Sequence, residues 1–207
     1  MKKLLILLLF ISFDSYCQDI ESVDFVKHLV IHKNSSLIYW KKDMTLFTGV
    51  ATISYKDGLL SSSRTYKNGK KNGLWREWYE NGQLKWTRTY KDEKKDGLWR
   101  EWDENGQLKW TGTYKDEKEV GLWRGWYENG QLESEGNYKD GEWDELWRGW
   151  YENGNKRGEW NWKDGEWDGL QRHWHENGQL WFEINSKNGE EISKKCWDEN
   201  GNEKECK

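Results

Sequence analysis

A 24-residue period constrains this chain more than any other feature. Four consecutive copies begin GLWREWYENGQL at Gly73, GLWREWDENGQL at Gly97, GLWRGWYENGQL at Gly121 and ELWRGWYENGNK at Glu145. A diverged copy precedes them at Gly49, and another, GLQRHWHENGQL, follows at Gly169. Six copies with no insertion between them mean an array in which each unit packs mainly on its neighbours.

Within one copy the residues spell a β-hairpin. Leu74 to Tyr79 is aromatic-rich and short, Asn81-Gly82 is a hairpin-turn signal, and Gln83 to Tyr90 alternates like a second strand. Lys91 to Asp96 is polar and is expected to form a second, longer turn into the next copy. A two-residue Asn-Gly turn sets Tyr79 opposite Leu84, Glu77 opposite Trp86 and Trp75 opposite Arg88. Trp75, Tyr79, Leu84, Trp86 and Tyr90 then share one face, and Leu74 and Trp78 the other. Gly112 and Gly136 take the place of Arg88 in later copies, opposite Trp99 and Trp123, which should cover them. A three-residue turn would shift this register by one.

The fold class that follows is all-β: an elongated, single-layer antiparallel meander of tandem hairpins. Composition agrees with it. Hydrophobic residues make up 34%, too few for a large aliphatic core, whereas 18 Trp, 10 Tyr and 5 Phe supply apolar area as rings. There is no Pro, as suits paired strands.

The two ends depart from the period. Lys2 and Lys3 followed by the apolar run Leu4 to Ile11 describe a secretory signal at 1–17, with cleavage leaving Gln18 first. An uncleaved anchor and a lipid-modified Cys17 are the alternatives. Residues 18–48 read as an N-terminal β cap with strands at Val26 to Ile31, Leu37 to Trp40 and Leu46 to Ile53. Residues 49–192 are the six repeats, and 193–207 a C-terminal cap. Cys196 and Cys206 flank a turn there and are candidate disulfide partners, two free thiols being the alternative. Cleavage removes Lys2, Lys3 and Asp14 and takes the formal charge from −4 to −5. An acidic chain argues against nucleic acid as partner and against charge-driven membrane adhesion.

Units such as NGQLKWTGTYKDEKEVGLWRGWYENGQL resemble the variant MORN (membrane occupation and recognition nexus) repeat of bacteria. More closely, the chain is similar to the YwqK family of antitoxins from toxin–antitoxin systems. The lead-in Leu46-Phe47-Thr48-Gly49 matches that family's, and the resemblance spans residues 37–205. It implies neutralisation of a toxin by protein–protein contact, with no catalytic motif to carry over.

Few residues point to chemistry. His173 and His175 are expected on one side of a strand, as in metal sites, but no third ligand is evident, and two substitutions in a diverging copy explain them. Glu80, Glu104, Glu128, Glu152 and Glu176 recur once per copy before each Asn-Gly, as a solvated rim does; equivalent sites cannot supply the unequal acid and base of a glycosidase. No cofactor, metal or catalytic residue is expected, and the chain reads as a non-enzyme. The candidate interaction surface is two aromatic columns: Trp75, Trp99, Trp123 and Trp147, and Trp78, Trp102, Trp126, Trp150 and Trp174. Such rings either form the core of a thin sheet or bind a ligand. The leading reading is an exported repeat protein (periplasmic, cell-surface or secreted) that binds a protein partner such as a toxin. A surface carbohydrate- or choline-binding module is the alternative, and a membrane-associating scaffold the third.

Overall fold

The computed structural model describes residues 22–32 and 35–206. The signal segment at 1–17 lies outside them. Most of the described chain is one open sheet in which sequential antiparallel strands pair neighbour to neighbour from Gly49–Ser54 through Glu203–Lys204. Each repeat contributes two strands. Those at Lys94–Trp102 and Glu166–Trp174 are interrupted at Asp96 and Asp168.

The two kinds of turn exchange the lengths expected for them. The Asn-Gly turn is a three-residue loop: Tyr79 N–H donates to the Gln83 carbonyl and Gly82 N–H to the Tyr79 carbonyl. Only Gly82 has positive φ, at 82°. This is the loop in which a glycine follows a tight turn as a bulge. The second turn is the short one. Lys91 pairs with Lys94, leaving Asp92 and Glu93 both left-handed at φ 46° and 73°. Asn68-Gly69, Asp140-Gly141, Asp164-Gly165 and Asn188-Gly189 adopt the same conformation, natural for Asn and Gly.

The longer loop shifts the register by one, yet most of the expected pairs survive. Trp75 faces Arg88 and Glu77 faces Trp86, but Leu84 faces Trp78 instead of Tyr79. A bulge at Lys85 absorbs the odd residue. It moves Leu84 to the Trp78 face and brings Lys85 to Glu77 at 3.1 Å and over the Tyr79 ring. The same shift recurs in the other Asn-Gly hairpins of the array and in the first one, which turns at Asp57-Gly58.

A second bulge explains the glycine that opens each copy. Pairing slips by two residues between Arg64↔Trp75 and Tyr66↔Lys71, and Gly73 takes φ 93° there. A Cβ on Gly73 would meet the Thr65 side chain at 3.2 Å. Glu145 stands in this place in the fourth copy, at φ 59°, with its carboxylate accepting from Asn137 at 2.9 Å. In the last copy the slip is one residue, between Asn185↔Ser193 and Ser186↔Glu191, which puts the final turn one residue out of phase.

Neighbouring copies are stitched at both edges. Along the short turns, backbone N–H groups of Gly69, Glu93, Glu117, Gly141, Gly165 and Gly189 donate to carbonyls 22 residues earlier. Along the Asn-Gly turns, Tyr79, Tyr127 and Tyr151 hydroxyls donate to the carbonyls of Trp102, Trp150 and Trp174. Asn81, Asn129 and Asn153 side chains donate to the carbonyls of Glu104, Glu152 and Glu176. The glutamate side chains themselves are exposed.

The N-terminal cap is not purely β. Phe25–His28 is a single helical turn capped by Asp24, in place of the strand expected from Val26. Ser22–Asp24 adds to the main sheet, parallel to Gly49–Ser54, and Leu29–Ile31 pairs with Ile38–Trp40 as a separate ribbon. Leu29, Ile38, Phe47 and Ala51 are buried there, and the cluster continues into Tyr66, Trp75 and Trp86. The cap thus covers the edge strand that would otherwise offer free backbone groups. At the far end the last strand has two residues, and Cys196 and Cys206 are joined by a disulfide.

Candidate functional site

Rings of adjacent strands meet at spacings that alternate between 15 residues, as Trp75 to Tyr90, and 9, as Tyr90 to Trp99, and the repeat makes this a chain of rings. Trp40, Phe47, Tyr66, Trp75, Tyr90, Trp99, Tyr114, Trp123, Tyr138 and Trp147 follow one another with centroids 4.9 to 6.0 Å apart. Each such pair is worth about 0.5–1.5 kcal/mol beyond its buried area. The first aromatic column is therefore half of a Trp–Tyr zipper. It ends at Gln171 and Ser186, which are buried together with Ser186 Oγ 3.4 Å from the Gln171 side-chain oxygen.

What covers the zipper changes along the array. Arg64 lies over Trp75 at 5.1 Å, and Arg88 over Trp86 at 4.3 Å and Trp99 at 4.8 Å. Lys71 sits over Trp75 and Tyr90, and Lys95 over Trp99 and Tyr114, at 4.6 to 5.2 Å. Trp75 and Trp99 are only 7% and 6% exposed, so they are core and not surface. In later copies the arginine place holds Gly112 and Gly136. The ring over each comes from the next hairpin, not from the cross-strand partner expected: a Cβ on Gly112 would fall 2.0 Å from Trp123, and one on Gly136 2.1 Å from Trp147. The glycine lets the indole lie flat on the backbone.

Where the covering cations end, tryptophans outside both columns take over. Trp143 packs on Trp147 at 5.2 Å and Trp162 at 4.6 Å, and its N–H donates to the Tyr138 hydroxyl at 2.8 Å. Trp167 packs on Trp162 at 5.8 Å. Trp143, Trp147, Trp160, Trp162 and Trp167, with Ser134, Arg148 and Arg157, line a groove of about 400 Å³. Trp143 and Trp167 are about 40% exposed. Beside it, and sharing Trp143, lies a wider bowl of about 640 Å³ edged by Glu119, Tyr138, Glu142, Asp164 and Glu166.

Of the columns read from the sequence, only Trp147 reaches this groove; Trp123 is half-buried and stacked on Trp110 at 5.7 Å. Trp78, Trp102, Trp126, Trp150 and Trp174 are half-buried on the opposite face and touch no ring of their own column among the described residues. Trp143, Trp160, Trp162 and Trp167 were not among the expected site residues. Their signal was available: they are among the tryptophans that stand outside both columns, and they cluster between residues 143 and 167.

His173 and His175 both pack against neighbouring rings. His173 Nε2 accepts from the Trp160 N–H at 2.7 Å, and its ring stacks on Phe182 at 4.2 Å. Burial, then the Arg157 charge, pushes it down to about 4, so it is neutral with its proton on Nδ1. His175 faces Trp181 across the hairpin bulge, in the position Tyr79 holds against Lys85. Among the described residues no group of three His, Cys, Asp or Glu is placed to hold a metal ion. Burial raises the Tyr66 phenol to about 12 and, with the Glu119 carboxylate adding to it, raises that of Tyr114 further.

The family model of the MORN repeat variant matches residues 71–92, 95–116, 119–140, 146–164 and 167–188, together just over half of the chain. No curated protein matches it. Each matched segment spans one Asn-Gly hairpin.

Proposed function

The chain belongs to the MORN repeat variant family, and from that premise we propose that it is an exported, non-enzymatic binding protein whose aromatic groove engages a protein partner. The carrying observation is the groove itself. Trp143 and Trp167 stay about 40% exposed in an array whose earlier tryptophans are covered by cations. Exposed indoles clustered on a rigid sheet are the residues that dominate protein interfaces. The similarity to the YwqK antitoxins gives the partner its narrowest form, a toxin met outside the cytosol and neutralised as an immunity protein would.

The full chain, expressed from its own first residue and fractionated, should be recovered outside the cytosol beginning at Gln18. Its partner should be retained by the native chain and lost by Trp143→Ala/Trp167→Ala, whose thermal midpoint should stay within a few degrees. Recovery of an intact N-terminus in the cytosol refutes export; equal retention by both proteins refutes the groove. The Trp walls also favour a second reading, a carbohydrate- or choline-binding module. Retention on a glycan or choline resin that the double variant loses would establish that reading instead.

A further inference from the structure

Residues 71, 95, 119, 143 and 167 occupy one place in the repeat, and they are Lys, Lys, Glu, Trp and Trp. In the first two, the lysine ammonium rests against a Trp of its own strand and a Tyr of the next, Lys71 on Trp75 and Tyr90, Lys95 on Trp99 and Tyr114. The ring pair, in other words, is an ammonium seat, and the chain shows it occupied twice by its own lysines. The third copy keeps the pair, Trp123 and Tyr138 at 5.5 Å, but puts Glu119 where the lysine was. The ring pair remains, its internal cation is gone, and a carboxylate has been added, which also meets the Tyr114 hydroxyl.

The surroundings extend the same preference. Tyr138 and Glu119 open onto the bowl that also holds Glu142, Trp143, Asp164 and Glu166. Asp164 is paired with Lys139 at 3.0 Å, whereas Glu119, Glu142 and Glu166 form no ion pair among the described residues. Trp143 joins this acidic bowl to the apolar Trp groove.

We propose that the third copy seats a lysine side chain from a basic segment of the partner, its ammonium between Tyr138, Trp123 and Glu119 and its alkyl stem along Trp143. Lysine is chosen over arginine because both internal occupants of the seat are lysines, and the arginines of the array cover its tryptophans from another position. The chain's formal charge of −4 favours a basic partner in the same direction. This assignment rests on the binding reading above and names the chemistry of the partner.

The test uses the full chain and an octapeptide alternating lysine with glycine, compared with its glutamine counterpart, followed by indole N–H shifts and tryptophan fluorescence. The lysine peptide should bind and the glutamine peptide should not. Glu119→Lys restores the internal occupant and should weaken binding about 5-fold or more, with folding intact. Glu80→Lys makes the same charge change on the exposed rim and should leave binding within about 2-fold. Lys95→Glu vacates a second seat and should raise the number of peptides bound from one to two. Equal binding of the two peptides, or equal loss in Glu119→Lys and Glu80→Lys, overturns the seat. If the peptide fails while Trp143→Ala/Trp167→Ala still releases the protein partner, the groove stands and the lysine assignment falls. A glycan such as chitotetraose shifting the same indoles in place of the peptide overturns both.

Discussion

The first and second halves of the array share a register, two turn types and two bulges, yet they pack the same ring zipper in different ways. From Gly49 to Lys115 the rings are covered by Arg64, Lys71, Arg88 and Lys95. Beyond them Gly112 and Gly136 let Trp123 and Trp147 sink onto the backbone, and extra tryptophans pack over Trp147 and Trp162. The difference shows that a hairpin array fixes the backbone and leaves the cover of its aromatic face free to vary. Cations give a closed face; glycine plus tryptophan gives an open, adhesive one. The candidate site lies where the second solution replaces the first.

The comparison is most exposed to failure at the glycines. Gly136→Ala should lower stability by about 2–3 kcal/mol, because the new methyl overlaps Trp147 and the ring must lift. Arg88→Ala, the same place in the first half, should cost only about 1 kcal/mol, since it removes a cation from rings that stay packed. Equal costs in chemical denaturation would refute the two packing solutions. At the far end, Cys196→Ser should cost about 2 kcal/mol of resistance to opening of the last strands, read by hydrogen exchange there, and leave the N-terminal half unchanged.

A smaller and pH-dependent effect belongs to the second half alone. His173 binds its proton less readily folded than unfolded, so the unfolded chain takes up the extra proton between about pH 6.5 and 4. The stability from neutral His173 is complete above pH 6.5 and is lost as the pH falls toward 4. The loss should amount to about 1–2 kcal/mol, since the site is partly wet and screened. Thermal midpoints across that range should fall in the native chain and fall less in His173→Gln. The smallest effect is that of Lys95→Ala, about 0.5 kcal/mol, with Trp99 fluorescence more accessible to an added quencher.

Much of this molecule was legible in the residues. The 24-residue period gave the antiparallel meander, and the Trp75–Arg88 and Glu77–Trp86 pairs followed from strand alternation. The turns depart from their sequence signals in a consistent way. Asn81-Gly82 carries the composition of a two-residue turn, but the Asn81 side chain is used to hold the Gln83 N–H and the Glu104 carbonyl of the next copy, in a three-residue loop. Asp92-Glu93 carries no glycine, and it forms the tight left-handed turn because the Glu93 backbone and carboxylate both bond Lys71 of the copy before. Inter-copy bonds overrode local propensity in each case.

By itself the sequence determined the class of fold, its repeat unit and the stock of rings, because period and alternation are local properties of a chain. It also held the tryptophans of the groove in plain view. Only the tertiary structure decided which rings are core and which are surface. That depends on a neighbour one strand away: an arginine or lysine that covers an indole, or a glycine that lets the next one lie down. The covering residue and its ring, such as Arg64 and Trp75 or Gly136 and Trp147, belong to successive copies, so no single copy contains them both.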